Sequence, residues 1–316
     1  MERYNHLNKF LKEKFGERVL KICIDGNFTC PNRDGTLSKS GCIFCSEYGS
    51  GEHIKKFLKD TNKELINTNT TEEYIKYQIN NYFNSYKASR ANKFIAYFQN
   101  FSNTYDTLEI LKAKYDAALI NNKIVALAIA TRPDCINEDI CKLIESYKNK
   151  VYVWVELGLQ TSNEQIGEII NRKYSNKQFT DAVKLLNKYN IDVVTHIMVG
   201  LPNENIEDIK ATTNFINSHK IKGIKIHSTY IVKNTKLEEM YKKGEYSPIS
   251  LEYYIENACN VLANLNPEII IHKISGDGPK DLLVAPSWNL HKKWIINGID
   301  KYLKENNLYQ GIYYKK

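Results

Sequence analysis

Short apolar segments alternate with longer amphipathic segments along most of the chain. The short segments have the runs and alternation typical of β-strands, whereas the longer ones place apolar residues at the three- and four-residue spacing of helices. Strands are predicted at residues 21–25, 93–99, 124–131, 151–160, 192–202, 223–232 and 268–275. Helices are predicted at about residues 72–89, 107–120, 137–148, 163–173, 177–189 and 205–219, within 236–266, and at about 291–306.

This alternation predicts a parallel sheet built from βαβ units. The apolar run IVALAIAT, residues 124–131, is typical of a parallel strand that is covered on both faces. Six or seven such units indicate an α/β barrel or partial barrel, whose active site lies at the carboxyl ends of the strands. No Pro- or Ser-rich linker interrupts the pattern. We therefore predict one domain over 1–316, with a core at about 20–235 and a C-terminal elaboration at about 236–316.

Hydropathy and charge indicate where in the cell the protein is located and whether it binds membranes or nucleic acids. No apolar run approaches the roughly 20 residues that span a bilayer. The first segment, MERYNHLNKFLKEKFGE, is charged and amphipathic, unlike a signal peptide, so we expect a cytoplasmic protein that does not bind a membrane. The net charge of +8 is compatible with nucleic-acid binding, but the lysines are scattered along the chain, which favours a solvated basic surface.

Seven cysteines lie unevenly along the chain, at positions 23, 30, 42, 45, 135, 141 and 259. An odd number with this spacing favours a thiol-ligated metal in a reducing compartment over a disulfide scaffold. Three of them lie in CPNRDGTLSKSGCIFC, residues 30–45, directly after the first predicted strand. Eleven residues separate the first two of these cysteines and two separate the second pair. The predicted site at the strand ends therefore contains three thiols.

Three thiolates on one loop suit an iron–sulfur cluster. A cubane cluster has four irons, so Cys30, Cys42 and Cys45 would leave one iron open for another ligand. Structural zinc is one alternative, but it needs four closed ligands and usually two paired motifs, and here there is one C-x-x-C. Inert thiols are another alternative. Cys23 alternates with two isoleucines in its strand, so we predict a small buried side chain there and not a ligand.

Segments from nearly the whole length of the chain carry a family resemblance. They are KICIDGNFTCPNRDGTLSKSGCIFC, KFIAYFQNFSNTYD, LAIATRPDC, VWVELGLQTSN, THIMVGLPNEN and HKISGDGPKDLLVAPSW. In these segments, and in their order and spacing, the chain resembles the YhcC/YtqA-like family of radical S-adenosylmethionine (SAM) proteins. It is more loosely similar to the Elongator catalytic subunit and to oxygen-independent coproporphyrinogen oxidase.

The resemblance implies a fold, two cofactors and a chemistry. The fold is a radical SAM partial TIM barrel of about six βα units with N- and C-terminal extensions. Cys30, Cys42 and Cys45 would hold a [4Fe–4S] cluster whose open iron binds SAM through its amino and carboxylate groups. An electron donor such as flavodoxin or ferredoxin would reduce the cluster. SAM would then be cleaved to a 5′-deoxyadenosyl radical, which abstracts a hydrogen atom from the substrate.

The resemblance also suggests residues near the cysteine loop that contact SAM. Phe44 precedes the third cysteine and would contact the adenine, although an ordinary core position is the alternative. Gln99 and Asn100 stand where relatives carry a Gly-Gly segment whose backbone holds the SAM amino group. A simple polar turn is the alternative there. Thr131 ends the third strand, where relatives place a polar contact to SAM.

Three further residues are assigned to SAM by the same comparison. Gln160 ends the fourth strand, and Arg172 follows twelve residues later, at the interval found in the coproporphyrinogen oxidase-like enzymes. A guanidinium suits the methionine carboxylate of SAM, but a surface helix position is the alternative for Arg172. His196 stands where those relatives have a ribose-binding Asp, and a hydrogen-bonded core histidine is its alternative.

The substrate residues are less specific. The loop SGDGPKDLL, residues 275–283, follows the last strand and contains Asp277. It is interpreted either as a loop that binds the substrate or as a plain turn. His227 and Tyr230 alternate in IKIHSTY and are candidates to contact the substrate. Relatives of the family include queuine lyase, which cleaves a carbon–nitrogen bond to release 7-aminomethyl-7-deazaguanine.

The substrate best suggested by this resemblance is queuine, a 7-deazapurine. A deazaguanine base needs a carboxylate that accepts its N1–H and exocyclic amine, and Asp277, Asp25 and Glu156 are the candidates. We expect a closed, mostly apolar cavity of the size that fits a small molecule, because the radical must be shielded from solvent.

Two other classes of function stay open. A tRNA-modifying enzyme is suggested by the Elongator-like similarity and the net charge, although no RRM, KH or OB pattern is evident. A non-catalytic iron–sulfur protein is the third class, in which Gln160 and Arg172 would have no purpose.

Overall fold

In the computed structural model, residues 2–49, 51, 54 and 70–315 are described. Their helices and strands, in chain order, are α1 (Leu7–Phe15), β1 (Val19–Ile24), α2 (Thr71–Phe83), β2 (Lys93–Phe98), α3 (Leu108–Ala118), β3 (Ile124–Thr131), α4 (Glu138–Ser146), β4 (Tyr152–Gln160), α5 (Glu164–Ile169), α6 (Asn176–Lys188), β5 (Asp192–Val199), α7 (Ile206–Asn217), β6 (Gly223–Ser228), β7 (Ile231–Val232), α8 (Lys236–Lys242), α9 (Leu251–Asn264), β8 (Ile270–Lys273), β9 (Leu283–Ala285) and α10 (Lys292–Glu305). Among these residues, no helix is both long and apolar enough to cross a membrane.

Seven strands form one sheet in the order β1-β2-β3-β4-β5-β6-β8, and every neighbouring pair is parallel. Because β1 and β8 are the two end strands of this sheet, the barrel is open along one side. The prediction of an α/β partial TIM barrel is confirmed, and each of the seven predicted strands contributes one strand to the sheet. The single-domain boundaries stay a prediction.

The last part of the chain departs most from the sequence prediction. The strand predicted at 223–232 is divided, because β6 ends at Ser228 and β7 pairs antiparallel with β9 in a separate ribbon. At the break, the Thr229 N–H donates to the Val199 carbonyl. The strand predicted at 192–202 ends at Val199, where Gly200 has a positive φ of 89°. Turn geometry, and not hydrophobic pattern, therefore sets these boundaries.

The two faces of the sheet pack differently. The outer face carries large aliphatic side chains against the helices, as Leu127 and Ile129 of β3 show. The inner face of the same strand carries Ala126, Ala128 and Ala130. The continuous apolar run of β3 therefore combines large outward residues with small inward ones, which leaves room inside the barrel.

Helix α1 packs against the amino-terminal end of the barrel interior. Its buried residues Leu7 and Leu11 belong to the same apolar cluster as Val19, Ile95 and other inward-facing strand residues. Gly16 ends the helix with a left-handed φ of 78°, which only glycine adopts without strain. This helix therefore covers the end of the barrel opposite to the cysteine loop.

Leu11→Ala should lower the free energy of unfolding by about 2–5 kcal/mol, because a fully buried leucine leaves a cavity when it is truncated. Chemical denaturation measures this change. The matched control is Lys12→Ala, at an exposed position of the same helix, which should change the stability by less than about 0.5 kcal/mol. Equal small effects of both variants would show that α1 does not contribute to the barrel core.

Candidate active site

The interior of the partial barrel contains a cavity of about 680 Å³. It opens at the carboxyl ends of the strands, where the cysteine loop lies. The predicted site residues that line it are Cys30, Cys42, Phe44, Cys45, Gln99, Thr131, Glu156, Gln160, His196, His227, Tyr230 and Asp277. Asp25, Asn100 and Arg172 are not among its described lining residues. The fold thus brings residues from the whole length of the chain to one cavity.

Two asparagines fix the cysteine loop against the segment that follows α5. Asn32 is fully buried, and its Nδ2 donates to the Asn171 carbonyl at 2.7 Å and lies 3.6 Å from Cys42 Sγ. In return, Asn171 Nδ2 donates to the Gly41 carbonyl at 2.6 Å. These bonds join two segments about 140 residues apart in sequence, so the position of the loop depends on tertiary structure.

Arg33 supports the loop from its other side. One of its Nη1 hydrogens reaches the Ser46 carbonyl at 2.6 Å, and the Cys45 carbonyl lies at 3.2 Å. Gly41 adopts a φ of 72°, and a Cβ at this position would approach Arg33 Cγ to 3.0 Å. The glycine before Cys42 is therefore required both by the backbone and by the arginine that packs on it.

The arrangement of the three thiols fits an iron–sulfur cluster. Cys30, Cys42 and Cys45 all line the same cavity. Burial raises the pKa of Cys42 to about 11, while Arg132 and the Asn32 amide act in the opposite direction. A metal at this site would be held by the deprotonated thiolate, to which the Asn32 amide would donate. In the described part of the chain, no three His, Cys, Asp or Glu side chains surround a point suited to one metal ion, whereas a cubane binds each thiolate through a different iron.

The prediction that Cys23 is a small buried side chain is wrong. Cys23 lies on the inner face of β1, in register with Tyr97 of β2, and is exposed to the cavity. The alternation in KICID correctly shows two faces, but not that the inner face borders a cavity. Cys135, Cys141 and Cys259 are buried elsewhere in the protein.

Gln160 ends β4 in an unusual conformation. Its φ is 61°, in the left-handed region, at a point where the register between β4 and β5 shifts. Tyr174 Oη donates to Gln160 Oε1 at 2.6 Å, and a Cβ on Gly158 would approach Gln160 Nε2 to 2.5 Å. The strain turns the amide over Gly158 and along the cavity wall, and such strain is typical of functional sites.

Phe44 and His196 each contact other residues of the protein and also line the cavity. Phe44 packs against the apolar cluster that contains Ile43 and also lines the cavity. The His196 imidazole Nε2 lies 2.8 Å from Glu156 Oε2, and its side chain is 21% exposed to the cavity. Burial lowers the pKa of His196, so the ring presents its second nitrogen without a charge.

Arg172 lies away from the cavity and is 1% exposed, and its contacts contradict the predicted role in SAM binding. All five of its N–H donors are used within the chain. They donate to the carbonyls of Leu159, Thr161 and Tyr174, to the Glu164 carboxylate and to the Asn176 amide. No donor is left for a ligand carboxylate. The surface-helix alternative is also wrong, since the guanidinium ties the end of β4 to the loop after α5.

Asp25 and Asn100 form a pair outside the cavity lining. Asn100 Nδ2 donates to Asp25 Oδ1 at 3.0 Å, and Gln78 bonds to both backbone groups of Asp25. Both residues are buried, at 7% and 2% exposure. The structure therefore does not support contact of Asp25 with substrate or of the Asn100 side chain with SAM. The neighbouring Gln99 lines the cavity.

Glu156 lies at the centre of the barrel, and its carboxylate is fully occupied. Trp154 Nε1 donates to Oε1 at 2.9 Å, while Tyr97 Oη at 2.8 Å, His196 and the Lys225 ammonium share Oε2. Burial acts to raise the pKa of Glu156, but Lys225 and His196 hold it well below its usual value. The carboxylate is thus an ionised internal group and not a free acceptor for a purine.

Tyr97 and Lys225 are site residues that were not predicted from the sequence. Both alternate with buried aliphatic residues in their strands, in KFIAYF and GIKIHS. A lysine or tyrosine inside an otherwise apolar strand is the signal that could have found them, because such a group is buried only with a partner.

Comparison with known proteins agrees with this geometry. Residues 30–216 match the radical SAM superfamily model, and residues 221–305 match the radical SAM C-terminal domain model. The uncharacterised protein YtqA of Bacillus subtilis is 36% identical over 315 residues, which cover 100% of this chain and 94% of YtqA. YhcC of Escherichia coli is 30% identical over 94% of this chain and 91% of YhcC.

The chain belongs to the radical SAM superfamily. Its cofactors are accordingly a [4Fe–4S] cluster and SAM. Among solved structures, the archaeal Elp3 of Methanocaldococcus infernus has a similar fold, with a TM-score of 0.64 and 19% identity. That match covers 92% of this radical SAM protein and 64% of the Elp3 chain, so it concerns the fold and not the activity of Elp3.

Cys30→Ser, Cys42→Ser and Cys45→Ser should each abolish cluster binding, because a cubane needs all three thiolates besides SAM. Iron and sulfide analysis after anaerobic reconstitution measures this loss. Cys23→Ser is the matched control, since this thiol faces the same cavity, and it should retain the full iron content. Loss of iron in Cys23→Ser with retention in Cys30→Ser would overturn the ligand assignment.

Arg172→Met should lower the free energy of unfolding by about 3 kcal/mol, because buried carbonyls lose their donor at a cost of roughly 1–3 kcal/mol each. Chemical denaturation and SAM titration are run on the same preparation. The exposed neighbour gives the control variant Lys173→Met, which should retain the parent stability. A variant of parent stability that has lost SAM affinity would restore the role in carboxylate binding.

Proposed function

We propose that Cys30, Cys42 and Cys45 bind the [4Fe–4S] cluster and that SAM binds beside it in the barrel. The observation that carries this proposal is that the three thiols face one cavity together with Phe44 and Gln160. When bound, the cluster and SAM supply a 5′-deoxyadenosyl radical, formed with an electron from a donor such as flavodoxin or ferredoxin.

The chain's own residues position the cofactors and exclude water. Gln99, Thr131 and Gln160 lie at the carboxyl ends of three neighbouring strands, on the cavity wall, where they would border bound SAM. Phe44 offers an apolar ring beside the cysteines. The inward alanines of β3 leave space for a ligand, and α1 covers the opposite end of the barrel. These features support a shielded radical reaction.

The cavity supports a small molecule as the substrate. Its volume of about 680 Å³ falls within the range of about 300–1,000 Å³ found for ligand pockets. Its wall is mostly apolar, as expected, but Glu156, Lys225 and Tyr97 add a polar region to it. We therefore propose hydrogen abstraction from a polar small molecule that binds inside the barrel.

Carbon–nitrogen cleavage of queuine gains no support from this geometry. Each predicted acceptor for the deazaguanine base is already used, Asp25 by Asn100, Glu156 by Lys225 and Asp277 by Lys273. The hypothesis rests on the family resemblance alone. The tRNA alternative rests on the net charge of +8 and on the looser Elongator similarity.

The reconstituted, reduced protein should cleave SAM to 5′-deoxyadenosine, and tRNA should not accelerate this cleavage. Mass spectrometry of the anaerobic reaction follows the products, and Cys42→Ser is the inactive control. Release of 7-aminomethyl-7-deazaguanine from queuine would establish the lyase. Turnover that requires tRNA and declines steeply between about 50 and 200 mM salt would instead establish the tRNA-modifying function.

A further inference from the structure

Four lysines line one part of the cavity, and they come from both ends of the open sheet. Lys21 lies on β1, Lys225 on β6, Lys273 at the end of β8 and Lys292 at the start of α10. Among the described lining residues, the carboxylates are those of Glu156 and Asp277. This part of the cavity therefore has two more basic groups than carboxylates.

The existing ion pairs account for three of these lysines. Lys225 is paired with Glu156, while Lys273 lies 2.9 Å and Lys292 lies 3.7 Å from Asp277 Oδ2. The side-chain ammonium of Lys21 has no hydrogen bond or salt bridge within the described residues. Its Nζ lies 5.5 Å from the centroid of the Tyr97 ring. An ammonium in a protein interior without a counter-charge is costly, unless a ligand supplies one.

Lys21 and Lys225 are close to each other in space. Lys225 Nζ lies 4.4 Å from the same Tyr97 ring centroid, so the two ammonium groups are within about 10 Å of each other. Burial lowers the pKa of Lys21, and the Lys273 and Lys292 charges act in the same direction, whereas Glu156 acts against them. These cations repel one another, and an anion placed among them would remove that repulsion.

Part of this lysine cluster (Lys21, Lys225, Lys273 and Lys292) lies deeper in the barrel than the residues assigned to the cofactors. Thr131 and Gln160 are the last residues of their strands, and Gln99 follows the last residue of β2. Lys21 and Lys225, by contrast, are each the third of six residues in their strands, deeper in the barrel. They lie where a substrate, and not the SAM carboxylate, would be bound.

We propose that the lysine cluster binds an anionic group, a phosphate or a carboxylate, of the small molecule on which the enzyme acts. The proposal rests on the proposed function, because it places the substrate in the same barrel. Ammonium groups act as point charges and suit either anion. Queuine has an amine and no anionic group, so the proposal directs the substrate search to phosphorylated or carboxylated compounds.

The test uses the reconstituted holoprotein with SAM present and measures thermal unfolding in inorganic phosphate, acetate and chloride at equal ionic strength. Phosphate or acetate should raise the Tm in a saturable manner, because it binds the folded state. General salting-out by phosphate affects every variant alike and does not saturate. If phosphate raises the Tm and acetate does not, the substrate group is a phosphate, and the converse result indicates a carboxylate.

Lys21→Met should weaken this anion binding at least tenfold, whereas Lys21→Arg should retain it. The control for loss of one positive charge is Lys184→Met, at an exposed position on α6, which should bind the anion as the parent does. Lys21→Met should not lower the Tm without anion, because an unpaired interior cation is removed. If Lys21→Met does not fold, Lys292→Gln replaces it, since that side chain is 57% exposed.

Equal anion binding by the parent and Lys21→Met would overturn the proposal. A parallel titration omits SAM, and anion binding that occurs only without SAM would also overturn the proposal, because the lysines would then bind the SAM carboxylate. SAM cleavage by the parent is measured in the same preparation. Cleavage without saturable anion binding would refute this inference and leave the proposed function intact, whereas anion binding without cleavage would refute the function.

Discussion

The buried carboxylate of Glu156 is the interaction on which the barrel interior depends. It accepts hydrogen bonds from Tyr97 of β2, His196 of β5 and Lys225 of β6, besides Trp154 of its own strand. Buried ion pairs add little net stability, but removal of one partner leaves an uncompensated charge that costs about 3–5 kcal/mol. The carboxylate therefore fixes the inward side chains of four strands relative to one another, and so fixes the cavity wall.

The interior has three levels along the barrel axis, each with its own chemistry. At the amino-terminal end, Leu7 and Leu11 of α1 make an apolar closure. The middle level contains Glu156 and its partners, which are polar and mutually satisfied. At the carboxyl-terminal end, the cysteine loop is tied to the chain after α5 by the Asn32 and Asn171 amides. A radical reaction needs both a reactive centre and exclusion of water. In this arrangement the cysteine loop lies at one end of the interior, and the end closed by α1 lies opposite to it.

Much of the fold and part of the site could be predicted from sequence, for a physical reason. Strand and helix periodicities are local, so the sheet strands and their order of appearance follow from pattern. The cysteine loop could be located because parallel strands of a barrel all carry their sites at one end. When both faces of a strand are covered, however, the sequence pattern does not show towards which face each side chain points. Cys23 and Ile22 are both apolar in sequence, yet Cys23 is exposed to the cavity, whereas the Ile22 side chain is buried in the main apolar cluster.

The sequence by itself determined the residue types and spacing of the thiols, the parallel α/β architecture and the family. Tertiary structure alone decided which polar residues remain available to a ligand. Arg172 has the chemistry to bind a carboxylate, but three backbone carbonyls, the Glu164 carboxylate and the Asn176 amide occupy all of its donors. Lys21 has an unremarkable position in a strand, but the pairing of β1 with β2 brings it beside Tyr97, and the assembled sheet brings Lys225 to the same ring. Hydrogen bonds and charges pair residues that are distant in sequence, so their availability is set only when the strands are assembled.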